Sequence, residues 1–510
     1  MESKDFAGES AGADSETARM RTGIEGLDDI LEGGLPPNRL YLIEGDPGTG
    51  KTTLALQFLL EGVRLGEPGL YVTLSETKDE LEQVAHSHGW TLDGFRIYEM
   101  TPAEDSLKPE SQYTIFHPSE IELGETTSAV LEEFERIKPR RVVFDSLSEM
   151  KLLAHDPLRY RRQILALKQY MAGRHSTVLL LDDRTSDKYD QVQSVAHGVI
   201  LMEHLAVEYG AERRRLRVMK VRGSRFRGGY HDFSIKRGGI TVFPRLVAAE
   251  HHRAFEKGSV ASGIGELDAL LGGGLDRGTS TLIIGPAGSG KSTLAAQFAA
   301  AAAARGERAA VFIFDEIRET YVSRAAGIGT DLRTHLDAGT MTVQQVDPAE
   351  LAPGEFAHAV RRSVGEGGAR LVVIDSLNGY LNAMPEERFL AIQMHELLTY
   401  LNQQGVVTII IMAQHGFLGS NMATPVDVSY LSDGVLMLRY FEARGEVRRA
   451  LSVVKKRTGG HENTIRELQI TSGGIRVGEP LRKFQGVLTG VPSYEGAKDT
   501  LMEESDDEQP

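Results

Sequence analysis

Two short stretches of this sequence have the residue types and spacing to hold phosphate. GDPGTGKTTLALQF runs from Gly45 to Phe58, and GPAGSGKSTLAAQF runs from Gly285 to Phe298. Both satisfy G-x-x-x-x-G-K-[ST], over Gly45–Thr52 and Gly285–Ser292, and each follows an apolar run (YLIE, TLII) and opens a helical one. Glycines let backbone N–H groups turn inward around the β- and γ-oxygens of a triphosphate, and a helix N-terminus adds its partial positive charge. Gly48, Thr49, Gly50, Lys51, Thr52 and Thr53 make up the first cradle; Gly288, Ser289, Gly290, Lys291, Ser292 and Thr293 make up the second. Lys51 and Lys291 bring a point charge, and Thr52 and Ser292 a hydroxyl for Mg²⁺. ATP and Mg²⁺ are the expected ligands.

Such a cradle needs a carboxylate opposite it to hold the metal's water shell. Asp145, closing VVFD, and Asp375, closing VVID, stand at the ends of apolar runs, so Thr52, Ser292, Asp145 and Asp375 form the expected metal set. Ser146 and Ser376 follow directly and are available to orient a γ-phosphate. Hydrolysis or transfer further requires a group that orients or deprotonates the nucleophile. The run after the cradle helix ends LYVTLSET in one copy and VFIFDEIRET in the other, which offers Glu76 first and Asp315 with Glu316 second.

These residues have to be positioned by a sheet and its helices, and the sequence writes that scaffold twice. Shifted by 240 positions, Thr22–Phe58 lies on Ser262–Phe298 with roughly half the residues identical. The echo continues through RVVFDSLSEM and RLVVIDSLNGY, then through HGVILMEH…RRRLRVMKVRG and DGVLMLRY…RRALSVVKKRT. Alternating apolar runs and helical segments predict an α/β fold of two tandem P-loop domains, each a mostly parallel sheet flanked by helices. Expected first-copy strands are Leu40–Glu44, Gly69–Leu74, Val142–Asp145 and Thr177–Leu181, with Val199–Glu203 and Leu216–Val221 as an antiparallel hairpin at the sheet edge. The expected domains are a tail over 1–20, a first ATPase domain over 21–245, a linker over 246–260, a second domain over 261–487 and an acidic tail over 488–510.

Composition narrows the function classes. The 510 residues fit two domains, and 41% hydrophobic with 25% charged residues is an ordinary globular balance. No run is long and apolar enough to span a membrane, and the polar start lacks the pattern of a signal peptide, so a cytoplasmic location is expected. Zero cysteines exclude thiolate chemistry. A net charge of -15 argues against a broad nucleic-acid footprint. A DNA-dependent recombinase or helicase would share the cradles, and Arg213, Arg214, Arg215, Arg217, Arg222, Arg225 and Arg227 form basic clusters. No aromatic and basic interleaving marks a single-strand groove, however, and no specific nucleic acid is expected. A third class is a scaffold in which ATP merely holds an assembly together.

The two RecA-like copies, the opening TGIEGLDDILEGGLP, the Asp-Ser after each buried run, and the K-x-R ending each last strand resemble the KaiC family of circadian-clock ATPases and autokinases. The likeness covers about residues 21–490. It implies two stacked rings of a homohexamer, ATP at subunit interfaces, slow hydrolysis in one ring and serine/threonine self-phosphorylation in the other. By the same resemblance Lys220 with Arg222, and Lys455 with Arg457, reach a neighbour's phosphates; Ser87 lies near the first nucleotide; and Ser429 is the phosphosite, ahead of Thr424 and Tyr430. The family's paired glutamates are intact in neither copy, since Ser75 and Asp315 replace the first member. A KaiB-like or other signalling protein is the kind of partner implied. The short acidic tail stands where the family carries the segment for its activator KaiA, so KaiA is not carried over.

Overall fold

The computed structural model describes residues 19–100, 129–154, 157–184, 191–206, 210–347, 349–382, 390–414, 432–443, 445–487 and 493–494. Ser429, Thr424 and Tyr430 therefore lie outside the described residues. The chain divides into two units, Met1–Arg245 and Leu246–Pro510.

In the first unit the strands are β1 (Leu40–Gly45), β2 (Gly69–Thr73), β3 (Arg96–Glu99), β4 (Arg141–Asp145), β5 (Thr177–Asp183), β6 (Gly198–Leu205), β7 (Arg213–Val221), β8 (His231–Lys236) and β9 (Gly239–Phe243). They form one sheet in the order β3-β2-β4-β5-β1-β6-β7-β8-β9. The strands from β3 to β6 are parallel, and β7 to β9 continue antiparallel. β1, β2 and β4 are buried along their whole length, as parallel strands covered on both faces must be. One face packs Leu54, Phe58 and Leu59 of the helix Lys51–Arg64; the other packs Phe134, Ile164 and Leu180.

Each expected strand forms within two residues of its expected ends, except that β7 begins three residues before the expected Leu216. The hairpin is β6–β7, but it is not at the edge: β6 pairs with β1, and β8 and β9 extend the sheet beyond β7. The signal for those two was present, because HDFSIK and GITVF alternate about an Arg237-Gly238 turn.

The second unit opens with a two-strand ladder, β10 (Ser259–Val260) with β11 (Leu275–Asp276). Its main strands are β12 (Ser280–Gly285), β13 (Ala309–Ile313), β14 (Met341–Gln345), β15 (Leu371–Asp375), β16 (Val407–Ala413), β17 (Gly434–Ala443), β18 (Glu446–Lys456), β19 (Ile465–Thr471) and β20 (Gly474–Pro480). The order β14-β13-β15-β16-β12-β17-β18-β19-β20 repeats the first sheet strand for strand. The stretch 246–260 carries structure of its own: Leu246 and Ala248 join an apolar layer of this unit, and the Ala248 N–H donates to Glu396 at 3.0 Å. No helix among the described residues is long and apolar enough to cross a membrane.

Two candidate nucleotide sites

In each unit the central strand runs straight into the cradle. β1 ends at Gly45 and the helix starts at Lys51; β12 ends at Gly285 and the helix starts at Lys291. The hinge residue before each helix is left-handed, Gly50 at φ 97° and Gly290 at φ 104°. A Cβ there would lie 2.5 Å from Ile235 Cδ1 in the first unit and 2.3 Å from Ile470 Cδ1 in the second. Only glycine satisfies both the angle and the space.

Around the first cradle the side chains converge. Lys51 Nζ donates to the carbonyls of Gly45 (2.7 Å) and Asp46 (3.1 Å) and pairs with Asp183 Oδ1 at 2.9 Å. Thr49 donates to the Asp46 carbonyl at 2.8 Å, and Thr52 Oγ1 donates to Asp145 Oδ2 at 3.2 Å. The buried Tyr71 hydroxyl also donates to Asp145, at 2.5 Å. Burial raises the Asp145 pKa, against those two hydrogen bonds. Glu76 is fixed by its N–H and carbonyl, both bonded to Thr73 Oγ1, and its Oε2 is buried without a partner. Burial first, then Asp145 and Glu80, raise its pKa, the direction a general base requires. Ser146 is buried beside Asp145. Ser87 is on the helix Lys78–His88, donating to the Val84 carbonyl at 2.7 Å. His88 from the same helix stands 3.4 Å from Thr53 Oγ1.

The second cradle has different surroundings. Lys291 Nζ donates to the Pro286 carbonyl at 2.7 Å, and Ala413 occupies the place of Asp183, so burial lowers this lysine to about 8. Asp375 is 8% exposed, accepts a hydrogen bond from Ser292, and has been pushed up to about 6 by burial. Among the described residues its Oδ2 has no partner, nor does the buried Ser289 hydroxyl. Ser376 donates to Asp315 Oδ2 at 2.5 Å. Glu316 is ion-paired with Arg324, whose Nη1 also reaches Thr293 Oγ1 at 3.4 Å.

Among the described residues no group of three or more His, Asp or Glu could hold a metal unaided. One hydroxyl facing one buried carboxylate, with an oxygen of Asp375 left over, fits a hydrated Mg²⁺ whose other ligands are nucleotide oxygens. The sites could therefore hold Mg·ATP through Thr52 with Asp145 and through Ser292 with Asp375.

A model of the KaiC ATPase family matches residues 20–247 and again 260–482. The chain belongs to that family. It is 28% identical over 493 residues to the circadian clock oscillator protein KaiC of Picosynechococcus sp., covering 94% of each chain. The KaiC of Synechococcus elongatus is 28% identical over 490 residues, covering 93% of this chain and 92% of that protein. Circadian clock protein KaiC3 of Synechocystis sp. is 28% identical over 482 residues, covering 93% and 95%.

As a KaiC-family P-loop ATPase the chain carries its two K-x-R pairs at the ends of β7 and β18. Lys220 donates to the Gln193 carbonyl and Arg222 to that of Ser194 at 2.6 Å. Lys455 donates to the Ser432 carbonyl at 2.6 Å, and Arg457 faces Asp433 at 3.5 Å. Each pair thus rests on its own unit through carbonyls or one partly exposed ion pair. Much of the arginine cluster has internal partners: Arg214 with Glu212, Arg215 with Glu203, Arg227 with Asp29, and Arg215 and Arg217 over the Tyr230 ring.

Sequence reasoning missed Asp183, Tyr71, His88 and Arg324. Asp183 follows another aspartate at a strand end, and nothing in LLLDDR sets it apart from a solvated carboxylate. Tyr71 reads only as strand. His88 and Arg324 acquire meaning once their helices lean over Thr53 and Thr293.

Proposed function

We propose that the chain is a homohexameric, KaiC-type ATPase that binds Mg·ATP at subunit interfaces, phosphorylates itself in the second domain and acts as a timing or signalling regulator. The observation that carries this reading is the pair of differently equipped cradles in one chain. The first offers a single half-buried glutamate, Glu76, with raised pKa; the second offers two carboxylates, Asp315 and Glu316, on the loop after β13. That difference supports a division between slow hydrolysis in the first domain and phosphoryl transfer in the second.

In the transfer step the Ser429 oxygen bonds to the γ-phosphorus, the bond to the ADP oxygen breaks, and the serine proton passes to Glu316 or Asp315. Lys291 and the second cradle's N–H groups hold the phosphates, and Ser292 with Asp375 would hold the metal and its water shell. Mg²⁺, when bound, neutralises β- and γ-phosphate charge. Lys455 and Arg457 reach the neighbour's nucleotide, as Lys220 and Arg222 do in the first ring, and supply charge where the transferring group develops it. Ser87 lines the first nucleotide, and Ser146 and Ser376 orient the γ-phosphates. Thr424 and Tyr430 are weaker acceptors in this reading; the longer tyrosine side chain would carry its oxygen further out than a serine hydroxyl. A KaiB-like partner belongs to this reading; KaiA and DNA do not.

A second reading, a scaffold that binds ATP and scarcely turns it over, draws on two contacts. Arg324 neutralises Glu316, and Asp183 occupies Lys51. Native mass measurement with and without Mg·ATP, followed by labelled-ATP incubation and peptide mapping, separates the two. Hexamers labelled on Ser429, with label lost in Lys291→Ala and Glu316→Gln, are expected. Hexamers without label favour the scaffold, and monomers at saturating ATP refute both.

A further inference from the structure

The duplication supplies an internal control for every position, and one pair of positions differs in kind between the units. In the first unit Arg184, just past β5, and Glu203 on β6 meet at 3.2 Å, and Glu203 also pairs with Arg215 at 2.8 Å. Tyr230 adds its hydroxyl at 3.4 Å. Glu203 is 9% exposed, so its charge is buried but fully served. The equivalent positions in the second unit follow from the sheet register. Tyr41 pairs with Gly198 and Thr281 with Gly434, which sets Glu203 on Arg439. The N–H of Arg184 bonds to the Gly45 carbonyl and that of Gln414 to the Gly285 carbonyl, which sets Arg184 on Gln414.

An acid–base pair has therefore become Arg439 and Gln414, a cation with no anion among the described residues. Arg439 is 8% exposed and Gln414 9%. Arg439 Nε and Nη1 are buried without hydrogen-bond partners, and Gln414 Oε1 is likewise unpaired. Burial lowers the pKa of this arginine, and no carboxylate among the described residues opposes the effect. A buried guanidinium without a counter-charge is costly, and proteins retain one where an anion arrives from elsewhere. The position bears on which anion that would be. β17 pairs with β12 as far as Ile284 opposite Met437, so Arg439 stands past the end of that pairing, at the cradle's end of the sheet and on the face opposite Leu438 and Tyr440, which meet the cradle loop. The guanidinium fork suits two oxygens of a tetrahedral phosphate, and the Gln414 amide, turned about its last bond, offers an N–H to a third.

We propose that Arg439 and Gln414 form an oxyanion site for a phosphate-type group at the edge of the second cradle, which the first unit has closed with its own glutamate. The group has two sources, free phosphate or the terminal phosphate of nucleotide in that cradle, and the test has an arm for each. In the first arm the full chain carries Lys51→Ala and Lys291→Ala, so that the cradle lysines do not bind the probe. Its melting temperature is followed against inorganic phosphate at constant ionic strength, with chloride as control. A saturable rise of a few degrees is expected with Arg439 present, and none after Arg439→Gln. In the second arm ATP and ADP affinities are compared with Lys51→Ala alone. Loss of at least tenfold in ATP affinity on Arg439→Gln, with ADP unchanged, identifies the nucleotide as the source. Gln414→Arg with Arg439→Glu rebuilds the first unit's pair and should be indifferent to phosphate while melting no lower than the parent. In chloride, Arg439→Gln should itself raise the melting temperature, because it removes an uncompensated charge. The inference is overturned if neither arm depends on Arg439, or if Arg439→Gln melts below the parent in chloride.

Discussion

Replacing Asp375 with asparagine should stabilise the second unit in the absence of Mg²⁺, even though it removes a residue assigned to the site. Burial holds this carboxyl at about 6, against 3.8 for an unperturbed aspartate. The folded state therefore binds the proton more tightly than the unfolded chain. Below 3.8 both states are protonated and the site costs nothing; the penalty grows as pH rises from 3.8 to about 6 and is complete above it. At about 1.36 kcal/mol per pH unit the full penalty is ~3 kcal/mol. Asparagine keeps an acceptor for Ser292 and carries no charge, so Asp375→Asn should recover up to that amount at pH 7. The gain is reduced by whatever attraction Asp375 exerts on Lys291. For a unit of this size the recovery is about 6–12 °C at most in melting temperature. Scanning calorimetry in EDTA from pH 4 to 7.5 reads it, a window in which Lys291, at about 8, stays largely protonated. Saturating Mg·ATP should reverse the sign, since only the parent gains from the metal. A variant that melts at or below the parent at pH 7 in EDTA, or a gain that does not shrink toward pH 4, refutes the reasoning.

Glu76→Gln, measured in a Lys291→Ala background, should lower first-domain hydrolysis by about 10²- to 10⁴-fold, and parental turnover would remove Glu76 as the base. Asp183→Asn releases Lys51 from a partly exposed ion pair and should tighten ATP binding to the first cradle by about fivefold at most; a fluorescent ATP analogue reads the affinity, and weaker binding would contradict the competition. Arg324→Gln frees Glu316 and should raise second-domain hydrolysis in a Lys51→Ala background, whereas a fall would make Arg324 a phosphate ligand instead of a restraint.

The parts of the fold that were legible from sequence are those whose signal is local. A buried parallel strand announces itself as an unbroken apolar run, and a cradle as glycines, lysine and hydroxyl at fixed spacing; both came out within a residue or two. β3, four residues long and half exposed, carries too few apolar positions to stand out. No local pattern says which strand lies outermost, so β6–β7 reads as an edge hairpin from sequence while β8 and β9 extend the sheet beyond it. At the sites, the residues on strand ends and in the cradle could be named from position alone. Asp183 could not, since its meaning comes from register: Gly45 opposite Asp183 in β1–β5 is what sets that carboxylate beside Lys51. Tyr71 and Arg324 likewise act through contacts the chain makes only when sheet and helix are assembled.

The methyl groups of Ile235 and Ile470, seated where Gly50 and Gly290 have no side chain, bear on how the molecule is made. Each belongs to the last strands of its unit, nearly two hundred residues after the loop it buttresses. On the ribosome the GxxxxGK loop and its helix emerge early, yet the wall that holds the glycine in its left-handed turn is among the last parts of the unit to be synthesised. ATP capture should therefore mark completion of a unit, and since each wall comes from its own unit, the first cradle can close and take nucleotide while the second is still being translated.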